Sequence, residues 1–431
     1  MSPNSAVQKK FAQPSMLLAP CVALTVGLAA AVPQRAARGD VVTDWNEIAI
    51  NTTAAPNSAV QSRMLAIAHV AMYDAARAVD SRGKAYAVDI KAPAGASIDA
   101  AVAAAAHGAL VRLVPAQRAM LDDALNVALG KIGDAKAKAD GVQVGTQVAE
   151  KIIDIRSRDK ADASKATVMR SGPGMYQVTP PHNLPAVLAA WGEVTPFVIK
   201  SASGLGLKGP PALTSAEFAR DLNEVKAIGA RNSATRMADQ TAAAIFWILQ
   251  TSVPWNAAAR AAAIKKDGSV LDNARLFALL TTAGADSLFA CWVEKNKWHH
   301  WRPITAIRGA AALNNAALQA DPNWEPLLGT PAHQEYPSGH SCLAGAAEVV
   351  LKTYFGSDDV NVNVTWPPVV GVTRSYTRFS QLADENEEAR IWGGIHFRTA
   401  DVDGRMLGRL VGEEVMRNFP AAPSLLTPVN R

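Results

Sequence analysis

The stretch that most constrains this chain runs from Asp286 to Arg308 and reads DSLFACWVEKNKWHHWRPITAIR. Lys295 and Arg302 are one heptad apart, so at ~100° per residue they return to nearly the same face of a helix. Pro303 sits badly in a helix interior, so the helix kinks or ends there and leaves Arg302 at a terminus. Two cations then point one way, an arrangement that suits an anion held end-on. The commoner outcome for such a pair is a solvated face, and the stretch by itself does not choose between them.

Two later stretches favour the anion. In Tyr336-Pro337-Ser338-Gly339-His340-Ser341 the Pro-Ser-Gly turn lets backbone N–H groups approach an anion, and an apolar helix from Leu343 to Tyr354 follows. In Arg390-Ile391-Trp392-Gly393-Gly394-Ile395-His396 the arginine and histidine are ~240° apart on a continuous helix, so they converge only if Gly393-Gly394 breaks it. A tetrahedral oxyanion needs neutralising donors at its periphery and one axial nucleophile. Lys295, Arg302 and Arg390 supply charge, the Ser338 hydroxyl and Gly339 N–H supply neutral bonds, and two imidazoles are at hand.

Three linked motifs now stand in order: Lys295 with six residues before Arg302-Pro303, then Pro337-Ser338-Gly339-His340, then Arg390 with five residues before His396. This set resembles the signature of the type 2 phosphatidic acid phosphatase and vanadium-dependent haloperoxidase superfamily. Weaker likeness to its bacterial haloperoxidase-like branch runs from Asp44-Trp45-Asn46 through Gly172-Pro173-Gly174, Trp191-Gly192 and Thr195-Pro196-Phe197 to about Asn418. The third motif departs from the family pattern, with Ala389 where a serine is usual and Ala400 where an aspartate is usual. Asp401 follows one residue later, which leaves open which carboxylate orients His396.

The resemblance implies that Lys295, Arg302, Ser338, Gly339 and Arg390 bind the oxyanion, that His396 is its axial ligand or nucleophile, and that His340 is the acid/base. With vanadate as cofactor, His396 would coordinate vanadium, and hydrogen peroxide would oxidise a halide. With no cofactor, the same residues would make a soluble acid phosphatase that hydrolyses phosphate esters through a phosphohistidine. A non-catalytic phosphate- or vanadate-binding protein is the third reading. Trp292, three before Lys295, resembles an aromatic that family haloperoxidases place near the oxyanion, and His333 an extra histidine of algal bromoperoxidases. A protonated His333 would add positive field for a halide. On a continuing helix His299 lies ~40° from Lys295 and faces the same pocket, whereas His300 turns away.

The net charge of +5 comes mostly from Lys9, Lys10, Arg35 and Arg38, with no acidic residue before Asp40, so the remainder carries about +1 and no footprint for nucleic acid. That same segment reads as a signal peptide over residues 1–38, with a charged n-region, an apolar stretch from Met16 to Val32 and small residues after it. A periplasmic or secreted protein is expected, with no membrane span once the leader is removed; a homo-oligomer is compatible with this. Cys291 and Cys342 are expected to be buried apolar groups, not a disulfide. Neither zinc spacing nor a nucleotide-binding glycine loop occurs.

Helical periodicity dominates, with helices expected at Ser58–Val79, Ser97–Val114, Ala116–Leu129, Ala135–Arg158, Ser233–Leu249, Ala257–Lys265, Val270–Trp301 and Val402–Asn418. His69, Tyr73 and Asp74 are read as a polar network between packed helices. The segment from Ser164 to Gly209, rich in proline and glycine, reads as an ordered irregular connection anchored by Trp191, Phe197 and Val198. The fold class expected is all-α: two packed helical bundles with the oxyanion site in the C-terminal one. An N-terminal bundle and its connection would span 40–209, and the catalytic domain 210–431.

Overall fold

The computed structural model describes residues 39–54, 57–181, 183–248, 251–365 and 372–420. The expected leader lies outside them. The described chain is mostly helical: α1 (Val41–Thr52), α2 (Ser58–Asp80), α3 (Ile98–Leu113), α4 (Arg118–Gly130) and α5 (Ala135–Arg156) come first. After an irregular segment follow α6 (Ala216–Ile228), α7 (Ala238–Phe246), α8 (Ser252–Lys266), α9 (Val270–Trp298), α10 (Pro303–Arg308) and α11 (Gly339–Phe355). A two-stranded antiparallel ribbon, β1 (Asp359–Thr365) and β2 (Thr373–Arg378), precedes α12 (Phe379–Trp392) and α13 (Arg398–Asn418).

Helix α9 is the axis of the core. Ser269 and Asp272 cap its start reciprocally, and residues from Leu276 to Trp292 are buried on every side. By length and composition α9 could cross a bilayer, contrary to the expectation that nothing beyond the leader could. Its apolar window is 94% buried within the protein, so the surface a membrane would cover is already covered by other helices. One continuous core joins Val42 of α1 to Val415 of α13 and crosses position 209 without a seam.

Buried carboxylates tie the irregular segment to this axis. Asp286 of α9 accepts the N–H groups of Phe197, Val198 and Ile199 at 2.6 to 3.1 Å, while Phe197 stacks on Phe289. Asp74 of α2 does the same for Tyr86, Ala87 and Val88. His69 is locked as a neutral tautomer: Nδ1 donates to the Leu65 carbonyl at 2.7 Å and Nε2 accepts from Asn46 at 2.9 Å. Asn46 also donates to Asn256 of α8, so the network joins three helices as expected.

Several boundaries differ from periodicity. The helix expected over 233–249 shrinks to α7, because the Ser233 hydroxyl accepts the Thr235 and Arg236 N–H groups in a turn, and the Arg236 guanidinium reaches back to the carbonyls of Ile228, Ala230 and Arg231. The acidic residues of α12 are paired with side chains of neighbouring elements. Glu385 binds Arg374, Tyr376 and the Trp247 indole, and Glu387 lies in an ion-pair cluster with Arg398 and Arg405.

The packing that sets the site is the crossing of α11 and α13. A Cβ on Gly408 would stand 1.9 Å from the Cys342 carbonyl oxygen, and one on Gly345 2.1 Å from that of Arg405, so the two backbones touch only because neither residue has a side chain. Gly408→Val is expected to lower stability by ~3 kcal/mol or more, since the helices must separate; a shift in the urea midpoint of the full chain measures it. The His69 pKa is lowered from 6.5 to about 4, chiefly by burial. The unfolded chain therefore takes up a proton that the folded chain refuses, and the stability His69 contributes above pH 6.5 is lost as pH falls through about 4. His69→Gln should accordingly lose up to ~3 kcal/mol less than wild type between pH 7 and pH 4 in urea denaturation.

Candidate oxyanion site

Three segments converge beside the end of α9: Lys295 on that helix, the turn from His333 to Ser338 that opens α11, and the stretch after α12 that carries His396. Arg302 caps the start of α10, as the proline that follows it requires. Its guanidinium is fully buried and donates to the carbonyls of His333 and Ile395 at 2.9 and 2.8 Å, with a third nitrogen 3.1 Å from His333 Nδ1. Lys295 Nζ lies 2.6 to 3.1 Å from the carbonyls of Gln334, Glu335 and Pro337. Arg390 donates to the Trp247 carbonyl at 2.6 Å, and its Nε has no partner.

His396 is the best defined of these groups. Its Nδ1 donates to Glu335 Oε1 at 2.8 Å, so Nε2 keeps a lone pair, which faces Arg302 at 3.1 Å. Reaching this place depends on the break after Trp392. Gly394 has φ +76, and a Cβ there would stand 2.4 Å from the Gly229 carbonyl oxygen. Ser338 caps α11, its hydroxyl oxygen accepting the Ser341 N–H and lying 3.2 Å from the Ser341 hydroxyl, which itself donates to Asp401. Gly339 starts that helix, where backbone N–H groups lack intrahelical acceptors. The His340 Nε2 has no partner.

Burial dominates the electrostatics. It brings Lys295 down to about 8 and Arg302 and Arg390 down to about 10. It lowers His396 to about 3, with Arg302 adding repulsion, and holds His340 and His333 well below 6.5. Among the described residues no carboxylate hydrogen-bonds any of the three cations. For Glu335, burial alone would raise the pKa, but hydrogen bonds from His300 and His396 outweigh it and keep the carboxylate well below its ordinary range. Burial pushes the nearby Asp401 carboxyl well above its ordinary pKa, so the three buried cations face less negative charge than they carry positive.

Comparisons with known proteins agree with that chemistry. The family model described as the VCPO second helical-bundle domain matches residues 275–422. The vanadium chloroperoxidase of Curvularia inaequalis is 30% identical over 35% of this chain, and the match spans 29% of that protein's length. The crystal structure of a bacterial vanadium-dependent iodoperoxidase superposes with TM-score 0.76 at 28% identity, over 88% of this chain and 95% of the other. These matches support a vanadium haloperoxidase-like family for this chain. A holo-type bacterial vanadium-dependent chloroperoxidase, 16% identical, shares the fold at TM-score 0.67 over 90% of this chain and 99% of its own.

Of the residues expected at the site, Arg302 lies 3.1 Å from His396 Nε2, Lys295 Nζ reaches the Pro337 carbonyl next to Ser338, and Arg390, His396 and Arg302 all act electrostatically on His340. Trp292 packs there too, its ring 5.2 Å from that of His333 and 5.7 Å from Lys295 Nζ. Three expectations change. His299 is not on the helical face assumed, because α9 ends at Trp298 and His299 takes a left-handed conformation at φ 53 with no hydrogen bond from its ring to the cluster. His300, expected to turn away, instead places Nδ1 3.1 Å from Glu335 Oε2. His333 is not the cation supposed: enclosure, Arg302 and Lys295 keep its imidazole neutral near neutral pH.

The group that sequence reasoning missed is Glu335. It orients His396, accepts the Phe397 N–H at 3.0 Å and holds His300, which is the part left open for Asp401. Asp401 instead accepts from the Ser341 hydroxyl at 2.7 Å, and Ser341 lies 3.2 Å from the Ser338 hydroxyl. One signal was available: Glu335 is the only charged residue between Glu325 and Glu348. Cys291 and Cys342 are free and buried. Glu335→Gln, which removes the anion and leaves the cations, should destabilise the protein by about 3 kcal/mol or more. Orthovanadate should then recover a larger share of the lost melting temperature in the variant than it adds to wild type, and calorimetry with and without the anion reads both effects.

Proposed function

We propose that this chain is an exported vanadium-dependent haloperoxidase that holds vanadate among Lys295, Arg302, Arg390 and His396 and takes hydrogen peroxide and a halide as substrates. The observation that carries the reading is the set of three buried cations with no carboxylate hydrogen-bonded to them among the described residues. The donors fit an oxyanion: two guanidinium forks, an ammonium, a serine O–H that would have to turn from its neighbours Ser341 and Asp401, and one imidazole lone pair. Bound vanadate would supply a Lewis acid that activates peroxide towards halide without changing its own oxidation state.

This chain's residues do the rest. Glu335 fixes the His396 ring so that Nε2 is aimed at the oxyanion position, and Arg302 and Arg390 neutralise its outer oxygens. Lys295, whose three hydrogens already reach backbone carbonyls, adds positive field where it stands and must exchange one of those bonds to touch an anion directly. His340, neutral and with Nε2 unpartnered, is able to take a proton from an incoming peroxide. Trp292, almost fully buried, narrows the water-accessible volume around the anion. Similarity to an iodoperoxidase over nearly its whole length favours iodide or bromide over chloride.

The same His396 nitrogen would serve a phosphatase as phosphoryl acceptor. A phosphatase also needs a protonated acid for its leaving group, and burial with Arg390 holds His340 deprotonated, so the peroxidase reading is preferred. Export to the periplasm or beyond rests on the leader-like residues 1–38 and is checked by sequencing the amino terminus of the mature protein.

Reconstitution with orthovanadate should produce peroxide-dependent oxidation of iodide or bromide. His396→Ala should weaken vanadate binding by about 100-fold or more, ~2.7 kcal/mol. His340→Ala should change that affinity by less than about threefold while lowering kcat by roughly 100-fold or more. Rapid hydrolysis of phosphate esters, with vanadate acting only as an inhibitor, would replace this reading by the phosphatase.

A further inference from the structure

Behind Arg302 the chain forms a second concavity that the oxyanion site does not use. The residues before α10 make a two-stranded contact, with Tyr176 N–H donating to the His299 carbonyl and Trp301 N–H to that of Gly174. This contact is a partition. Arg302 faces the oxyanion site on one side, while Trp301 and α10 line a cavity of about 590 Å³ on the other. Pro173, Val178, Pro180, Trp301 and Ile304 give that cavity apolar walls, and Val178 is 47% exposed at its rim. A lobe of about 130 Å³ continues it past Pro181 towards Gly329 and Thr330.

Arg308 lines both volumes. Its Nε donates to the Trp324 carbonyl at 2.9 Å, and its terminal nitrogens have no carboxylate within ion-pair distance among the described residues. The other charges of the small lobe cancel, because Arg231 and Glu325 pair with each other at 2.7 Å. Arg308 is thus the one uncompensated charge of a largely apolar cavity whose volume lies in the range of small-molecule sites. Flat prolines and an indole favour a ring system, and a guanidinium with two unpaired terminal nitrogens favours a carboxylate.

We propose that this cavity is a binding site for a small aromatic carboxylate, held by its ring against Val178, Ile304 and Trp301 and by its carboxylate on Arg308. The site is separate from the oxyanion cluster, and its occupancy does not depend on vanadate or on the haloperoxidase reading.

The probe is 2-naphthoate, titrated by calorimetry into the full chain with and without saturating orthophosphate, which occupies the oxyanion cluster. Saturable binding of one equivalent, unchanged by orthophosphate, is expected. 2-Naphthylmethanol, the neutral counterpart, should bind about tenfold more weakly or less, as one charge-assisted contact is lost. Arg308→Gln should weaken naphthoate binding by roughly tenfold. Because that change also removes the bond to Trp324, Val178→Glu, at an exposed position, tests the same wall without touching the fold, and its carboxylate should repel the ligand to a similar extent. Absence of saturable binding, binding that survives both substitutions, or displacement by orthophosphate would each overturn the proposal.

Discussion

Three cations, Lys295, Arg302 and Arg390, are buried with no carboxylate hydrogen-bonded to them among the described residues, and the C-terminal half is arranged around keeping them there. Each would be several kcal/mol more stable in water than in an apolar interior without partners. Backbone carbonyls meet that demand: those of Gln334, Glu335 and Pro337 for Lys295, of His333 and Ile395 for Arg302, and of Trp247 for Arg390. Carbonyl dipoles solvate a cation without discharging it, so positive potential remains at the site while the hydrogen-bond demand is largely met. An anion that enters finds charge already positioned and needs little reorganisation to be bound.

That arrangement requires irregular backbone deep inside the protein, and the surrounding helices make it affordable by being unusually close. Glycine contacts let α11 and α13 touch backbone to backbone, which brings Ser338 beside Ala400 and sets the Ser338–Ser341–Asp401 chain under the oxyanion position. On the far side of α9, Asp286 performs a similar service by gathering three N–H groups of the 197–199 loop. Burial raises its pKa to about 6, an indication of how far from water this loop is held. Both devices fix loop backbone with buried polar groups, and both leave the apolar helices as a rigid frame.

The oxyanion cluster and the cavity behind Arg302 share a wall but differ in character. One is closed, charged and hydrogen-bonded mainly to backbone carbonyls; the other is open, apolar and carries a single unpaired cation. They are separated by the two backbone bonds between residues 174–176 and 299–301, so events in one volume reach the other through α10 and its capping residue.

How much of this was legible depends on the range of the interaction involved. The three motifs, the break at Gly393-Gly394 and the end of the helix before Pro303 follow from spacing, capping and conformational preference, which act over a few residues and are written locally. Periodicity also placed most helices to within a few residues, and failed where side chains such as Arg236 captured backbone carbonyls. Glu335 could not be assigned in this way: it is 61 residues from His396, and only the folding of α11 against the segment after α12 makes them hydrogen-bond partners. His299 and His300 exchanged roles for a related reason, since a helix that ends three residues early changes the direction of every side chain beyond it. The sequence by itself determined which charges and imidazoles this protein has and the local turns that present them; the tertiary structure alone decided which carboxylate orients His396 and which cations remain unpaired, because those depend on distances between segments that no local preference encodes.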